Sequence, residues 1–562
     1  MASPKAAKSR CWIARSHVLV SLVSLTTMTG QSAYGQLGQL IVYVDQAAPD
    51  GGNGSSWGNA FRDIHDATEA VLDATSVDAY DVVEVRIAKG VYRPDRGTGD
   101  RRQSFLFVTG NGPTRLFRLR GSFRGFGASD PDAQDFVSCR TILSGDLKQD
   151  DLPGFVNRAD NSFVVADIGL QATTVLIEGV DVRGAYAASG ESTSPKGRTG
   201  GMLVTVSSPV GVPDVLTAIV GCRFEENQTD LSMGAALTIN AQSAQIINCE
   251  FRRNRALRAP GGAVSLSVQF GYMTGIYACE FESNSATHGG AIYQERSRLD
   301  VERCVFIGNS AAVEGGAIAG IGARTAASLF VRNSAGGSGG AIGTSGYLGS
   351  KIGACTFVSN SAGIGAAINS YSSGLNVTQC VFADNISSPA GVDVQCVETV
   401  QPSKFSYNLF SGAQSTIRIV GGTATYISNL TNQNPHFIRP AVPADADSDW
   451  EKWNYRLRLS SKGIGIGGRW AGKDLDDRWR ADGEPRPGDA GCYYYTYFTC
   501  PANISRNWNQ IVDDEDFVLF LGAYTEQVSP PANPDADVNR DGLVDDADFL
   551  LFAVAYDRLL CP

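Results

Sequence analysis

Between Cys222 and Asn385 the apolar positions alternate with polar ones in short runs, with no stripe at helical spacing. The runs CRFEEN, CEFRRN, CEFESN, CVFIGN, CTFVSN and CVFADN begin at Cys222, Cys249, Cys279, Cys304, Cys355 and Cys380. A further copy, SLFVRN, places Ser328 where the others have cysteine. The period is about two dozen residues, the length of a solenoid coil. Residues two apart in a strand share a face, so each Cys and Phe point the same way and the residue between them points away. Both are expected inward. The asparagine one step past the strand fits a left-handed turn, and its amide can bond to the coils on either side.

A second element follows each asparagine: Gly234-Ala235-Ala236-Leu237, then Gly-Gly-Ala at Gly261, Gly289, Gly315 and Gly339, then Gly365-Ala366-Ala367-Ile368. Glycine there permits a sharp corner and a close backbone approach before the next apolar residue. Two motifs recurring in fixed order predict an all-β chain that winds as a solenoid of stacked coils.

Upstream, an Ile41–Val44 strand leads through GGNGSSWGNAF into a helix over Asp63–Thr75, with Ile64, Ala67, Val71 and Ala74 on one face. A strand over Asp81–Ala88 follows. A helix at the open end of a solenoid covers apolar side chains and blocks exposed strand edges, so this one is assigned as the cap. Ahead of it, Lys5, Lys8, Arg10 and Arg15, the apolar run Val18–Leu25 and small residues around Ala33 and Gly35 read as a secretory signal cleaved near Gly35–Gln36. No later run is long and apolar enough for a membrane-spanning helix.

Composition agrees. The 63 glycines and 19% charged residues suit many tight turns and short strands. The net charge of -11 lies mostly at the C-terminus, where 12 acidic residues follow Cys500 against Arg506, Arg540 and Arg558. With no basic stripe for a phosphate backbone, nucleic acid is not an expected partner.

The paired FxxN and GGA[ILV] motifs resemble the repeats of polymorphic outer-membrane proteins and other right-handed parallel β-helix surface proteins. IVYVDQAAPDGGNGSSWGNAF, IAKGVYRP, GSFRGFG and TILSGDL look like the N-terminal part of secreted bacterial proteins of that kind. The resemblance covers roughly residues 40–490 and implies an all-β, right-handed parallel β-helix of the pectin-lyase-like kind. Asn434-Pro435-His436-Phe437 and Asn454-Tyr455-Arg456-Leu457 resemble their last coils, closed by Asp489-Ala490-Gly491.

Of the 12 cysteines, six share one repeat position and are expected as a reduced thiol ladder in the core, about 4.8 Å apart. A linear stack with no CxxC pair does not suit tetrahedral zinc. Cys500 and Cys561 bracket the last module and are expected to form a disulfide.

That module carries the clearest ligand pattern. DVNRDGLVDDAD offers side-chain oxygens from Asp537, Asn539, Asp541, Asp545 and Asp548, with Gly542 at the turn and the Leu543 carbonyl as a further ligand. This is the spacing by which an EF-hand loop encloses calcium. Phe549, Phe552, Ala553 and Tyr556 then form a helical stripe. A shift of 32 residues superposes DDEDFVLFLGAY on DDADFLLFAVAY, so the unit is duplicated. The earlier loop, Ser505, Asn507, Asn509, Asp513 and Asp516, has fewer carboxylates and Gln510 in the glycine position, so weaker calcium binding is expected there. Two such units resemble a type I dockerin, and the opening CPA with the terminal CP resembles the GC-type dockerin-like anchors of secreted bacterial proteins. That resemblance implies a cohesin-like or other cell-surface protein as partner.

The expected organisation is thus a signal peptide over 1–35, N-terminal cap and first coils over 36–160, β-helix repeats over 161–490, a linker over 491–499 and a dockerin-like, paired EF-hand-like α-helical module over 500–562. Pectate lyases resemble this architecture, so a polysaccharide lyase or glycoside hydrolase carried by a dockerin is the rival to a structural or binding surface protein. Such chemistry needs carboxylates converging beside a groove. The outward positions Arg223, Glu250, Glu280, Val305, Thr356 and Val381, and Glu225, Arg252, Glu282, Ile307, Val331, Val358 and Ala383, mix signs and then turn apolar. They suit cross-strand salt bridges such as Arg252 with Glu282. His288 has no evident oriented partner, and the acids Asp445, Asp447 and Asp449 read as a loop. No catalytic residue is assigned. The expectation is a secreted or cell-surface β-helix protein, non-catalytic, with polysaccharide as a second candidate partner.

Overall fold

The computed structural model describes residues 38–557 apart from short stretches, the longest being 188–199, 494–503 and 527–535. The chain divides into two compact units, Met1–Tyr494 and Tyr495–Pro562. The expected signal peptide lies outside the described residues.

The first unit is a parallel β-helix. One coil shows the plan: Ser243–Ile247 belongs to a 13-stranded sheet, Glu250–Arg252 to an 11-stranded sheet, Arg255–Ala256 to an 8-stranded sheet and Val264–Val268 to a second 11-stranded sheet. The chain then re-enters the first sheet at Thr274–Tyr277, parallel to Ser243–Ile247 and one rung on. Helix α1, Ile64–Val77, starts where Asp63 Oδ1 accepts the His65 backbone N–H at 2.7 Å, and buries Ile64, Ala67, Thr68, Val71 and Thr75. Thr75 rather than Ala74 completes the buried face. The outer edge of the first strand, Gly38–Val44, is already bonded: Tyr43 N–H donates to Gly54 O and Phe61 N–H to Tyr43 O.

Register follows the repeat. Phe224, Phe251, Phe281, Phe306, Phe330, Phe357, Phe382 and Phe410 form one buried column, neighbouring ring centroids 4.7–5.0 Å apart and planes within 8° of parallel. Isolated aromatic pairs prefer offset or edge-on packing. Here the strand spacing of about 4.8 Å sets the ring spacing. The cysteines stack beside them as thiols not joined in disulfides, Cys279 N–H lying 3.5 Å from Cys304 Sγ, and Ser328 takes its expected place by accepting Cys304 N–H at 3.1 Å. Burial and the adjacent thiols push Cys249 and Cys304 well above the usual thiol range, so they pack as small apolar groups. The column continues past the last cysteine as Asn408 and Asn429, a coil type the cysteine pattern did not reveal.

Three readings need correction. The repeat asparagine is not the left-handed residue: Arg253, Ser283, Gly308, Arg332, Ser359 and Asp384, each one position earlier, carry φ of 53° to 62°. Those residues make the corner, which frees the asparagine to point inward. The segments around Asn434 and Asn454 are not last coils either. The parallel ladders end at Ala424–Ile427 and the Leu409–Leu430 bridge, so the β-helix stops short of residue 490. Phe437–Arg439 pairs antiparallel with Asn454–Leu457 instead. The proposed linker also starts later, because Cys492 and Tyr493 are buried on the β-helix and Cys492 N–H donates to Thr356 Oγ1 at 3.0 Å.

In the Gly-Gly-Ala strands the second glycine is sterically required. A Cβ on Gly290, Gly316 or Gly340 would stand 2.0–2.1 Å from the carbonyl oxygen of the next coil. The alanines Ala263, Ala291, Ala317, Ala341 and Ala367 form a continuous inward row, each N–H bonded to the next residue's oxygen, and Asp393 occupies its last position. Burial, with Asp384 nearby, pushes the Asp393 carboxyl up to about 7 against the pull of a hydrogen bond from Asn385. A folded pKa above the unfolded one means that the stabilising contribution is complete below the unfolded value near 3.8 and is lost as pH rises through about 7. Asp393→Asn should therefore raise the melting temperature more at pH 8 than at pH 5. Thermal melts at both values check this, and a larger gain at pH 5 would contradict it.

Candidate functional site

Three surfaces carry the chemistry-bearing residues. On the outer face of the phenylalanine-bearing sheet, acids and bases interlock. Arg223 Nε lies 2.8 Å from Glu250 Oε2, while Arg252 reaches Glu250 at 3.3 Å, Glu280 at 3.7 Å and Glu282 at 3.6 Å. Arg253 bonds Glu225 and, at 3.1 Å, Glu226. Burial pulls Glu250 upward, but Arg223 and Arg252 outweigh it and hold its carboxyl below the usual range. For Glu282 burial prevails over Arg252 and Arg253, with Asp447 and Glu225 adding to the rise. The expected Arg252–Glu282 pair is present, and each of these acids faces an arginine. Such a lattice holds carboxylates in place; it does not leave one poised to move a proton.

Further along, the same face turns apolar for a structural reason. Val305, Ile307, Leu329, Val331, Val358, Val381, Ala383 and Leu409 are covered by Phe437, Trp453, Tyr455, Leu457, Ala490, Cys492 and Tyr493. The described residues between 437 and 493 thus form a strap across the sheet. Trp453 lies over Arg332, whose guanidinium carbon is 4.9 Å from the ring centroid, and Arg332 Nη1 reaches Asp447 at 3.2 Å. Asp447, read from sequence as a loop acid, is thereby an anchor of the strap, and Gly308 lets it approach, since a Cβ there would meet its carboxylate. Asp445 and Asp449 lie outside the described residues. His288 pairs in register with Glu314 on the eight-stranded sheet, and its Nδ1 lies 3.2 Å from Thr287 Oγ1.

The third surface belongs to the second unit. Helices α2, Asp514–Glu526, and α3, Asp546–Asp557, begin at positions equivalent under the 32-residue shift. Their contacts are reciprocal. Tyr524 donates to Asp546 and Tyr556 to Asp514, while Phe520 stacks on its counterpart Phe552 at 4.6 Å. Phe517–Phe552 at 6.3 Å mirrors Phe520–Phe549 at 6.1 Å. The duplication superposed these tyrosines and aspartates, but the sequence reading used only the stripe. Of that stripe Phe552 is buried and Phe549 exposed.

The equivalent Asp516 and Asp548, the last positions of the two expected calcium loops, are both wholly buried in the first turns of these helices. Asp548 Oδ2 accepts Asp545 N–H at 3.0 Å. Buried carboxylates call for positive charge or several donors, so the residues on view fit a cation held at the helix starts. Asp537, Asn539, Asp541, Leu543, Ser505, Asn507, Asn509 and Asp513, like Cys500 and Cys561, lie outside the described residues.

Comparison with known proteins adds one local match. The family model of the Chlamydia polymorphic membrane protein repeat matches residues 278–295 and 303–321, two successive coils. Together with the strand ladders, it makes the chain a parallel β-helix repeat protein. No curated protein matches it. Among solved structures it is similar to pectate lyase Pel9A, at 13% identity over 82% of this chain and 98% of that one, with a TM-score of 0.43. At that score the likeness carries no argument. No helix among the described residues is long and apolar enough to cross a membrane.

Trp453→Ala should loosen the strap and leave the ladders intact. Emptying so large a buried site costs about 3–5 kcal/mol. Hydrogen exchange should then quicken over residues 437–457 and at Val331 and Val358, with Phe306 and Phe330 still protected. Unchanged exchange over the strap would contradict its anchoring role.

Proposed function

We propose that this is a secreted or cell-surface β-helix protein with a structural or binding role, attached or assembled through a calcium-binding, dockerin-like C-terminal module. The observation that carries the reading is the internal symmetry of the second unit, with Asp516 and Asp548 buried at equivalent places, each ending a segment whose sequence has EF-hand-like spacing. The repeat match on two coils supports a surface setting, since the family it names is a membrane protein's. In this reading Asp537, Asn539, Asp541, Leu543, Asp545 and Asp548 hold the tighter calcium, Ser505, Asn507, Asn509, Asp513 and Asp516 the weaker one, and a Cys500–Cys561 disulfide closes the module. The partner is a cohesin-like or other cell-surface protein.

The β-helix serves as a rigid display surface. Its outward acids between Arg223 and Glu282 are engaged by arginines, and the next stretch of that face lies under the strap. Polysaccharide cleavage by the full chain, abolished by one outward carboxylate substitution, would overturn the non-catalytic reading.

Calcium affinity rises with ligand charge and with preorganisation of the loop. An ion that binds only the folded module also stabilises it by mass action. Calorimetry of the full chain should therefore show calcium raising one transition and leaving the β-helix transition in place. Asp537→Ala with Asp548→Ala should remove most of the effect and Asp516→Ala little. Two equally tight sites, or no calcium dependence, would contradict the assignment.

A further inference from the structure

Between the strand Thr141–Ser144 and Ser162 the chain leaves its coil and returns. The excursion is a short hairpin, Leu152 and Val156 exchanging backbone hydrogen bonds near its tip, and both of these side chains are about half exposed. It carries Asp146, Asp150, Asp151 and Asp160. Asp146 Oδ1 accepts the Asp150 N–H at 3.2 Å and Asp160 Oδ2 the Lys148 N–H at 2.9 Å, which shapes the base of the hairpin. One carboxylate oxygen each of Asp146, Asp150 and Asp160 lies within 4.8 Å of the others, and like charges at that spacing repel.

Asp151 is placed differently. Its side chain is largely buried, and its Oδ2 lies 2.6 Å from Nη1 of Arg158, whose side chain is only 4% exposed. Asn161 Nδ2 donates to the same oxygen at 2.9 Å and to Gly184 O at 2.7 Å, while Arg158 Nη2 reaches Glu226 of the β-helix at 2.5 Å. Two ties that hold the excursion down, Arg158 to Glu226 and Asn161 to Gly184, therefore meet at one carboxylate. Its other oxygen, Oδ1, is buried with no partner among the described residues, which penalises the charged form. Burial pushes Asp151 up to about 6; Asn161 and Arg158 pull it down, and Asp146 and Asp160 add to the rise. Further out, Arg253 shares Glu226 at 3.1 Å, Arg93 Nε is turned to the backbone oxygen of Asp146 at 2.9 Å, and Lys148 is exposed.

We propose that the excursion over 146–161 is an acid-closed clasp, docked on the β-helix while Asp151 is neutral and released as Asp151 ionises. Two costs arise together on ionisation. A charge is confined where water is excluded and one of its oxygens is unbonded, and it joins three carboxylates already crowded at the base of the hairpin. Arg158 offsets part of this, but it is shared with Glu226, which keeps Arg253 as a partner when the clasp opens. With the docked value raised above the ordinary 3.8, the stabilising contribution is complete below 3.8 and is lost as pH rises through about 6. Opening takes the half-exposed Leu152 and Val156 away from the coil and bares the backbone oxygen of Gly184. The clasp belongs to the β-helix and is independent of the C-terminal module.

Hydrogen exchange of the full chain tests this, read at pH 5 and pH 8 on peptides spanning 146–161 and corrected for the intrinsic pH dependence of amide exchange. Protection in the wild type should fall about tenfold between the two, the ratio given by titration at about 6 when closed and at 3.8 when open. Asp151→Asn, which keeps the shape of the neutral acid, should hold the acid level of protection at pH 8. Asp150→Asn, at an exposed position, should leave the wild-type step in place. Exchange across residues 249–360 should be the same in all three proteins. No step in the wild type, a step surviving in Asp151→Asn, protection lost at both pH values in that variant, or a step abolished by Asp150→Asn would each overturn the proposal.

Discussion

A buried primary amide has two donors and an acceptor to satisfy, and in this β-helix the acceptor and one donor meet identical amides one coil away while the other donor meets a backbone oxygen. Asn254 Oδ1 accepts from Asn227 N and Nδ2 at 3.1 and 3.0 Å; Asn254 Nδ2 donates to Phe224 O and to Asn284 Oδ1 at 3.0 Å. The pattern runs on through Asn309, Asn333 and Asn360 to Asn385. A slip of one residue between coils would leave every one of these groups unsatisfied in the core, so the ladder fixes register more strictly than apolar burial does. Once register is fixed, phenylalanine must fall on phenylalanine and thiol on thiol. The column ends where Asp393 supplies the acceptor that the next asparagine would have offered.

The same register determines what the outer surface can do. Outward residues stack in rows, so a row of mixed charge becomes a chain of ion pairs and a row of Val, Ile and Leu becomes a stripe that must be covered. Both occur on one sheet, the arginine–glutamate lattice giving way to the stripe under the strap. Partly exposed ion pairs add little stability singly. Their effect here is to hold the acids in fixed positions, each beside an arginine.

The repeating core was legible in the sequence because its signal is periodic: FxxN and the Gly-Gly-Ala strands recur with the coil. The cap helix was legible from its 3.6-residue stripe. What escaped has physical reasons. The left-handed corner accepts Arg253, Ser283, Arg332 or Asp384 alike, since neighbouring coils impose the conformation whatever side chain is present, so no residue type marks it. The strap strands at Phe437 and Tyr455 alternate like any strand, and alternation does not say whether a strand extends a ladder or crosses it. The outward stripe from Val305 to Ala383 was the available clue, since apolar rows facing out require a cover. Of the calcium ligands read from sequence, Asp516, Asp545 and Asp548 fall on described residues, at the starts of helices that the duplication had already located.

The most direct measurement of the ladder's role is equilibrium denaturation of Asn309→Leu beside Cys304→Ser. Both residues are wholly buried in adjacent columns of one coil. Serine already stands in the thiol column at Ser328, so Cys304→Ser should be close to neutral. Asn309→Leu removes the partner of Asn284 N and Nδ2 and should cost about 1–3 kcal/mol for each group left unsatisfied. A leucine variant as stable as the wild type would show that burial alone sets the register and would contradict this account.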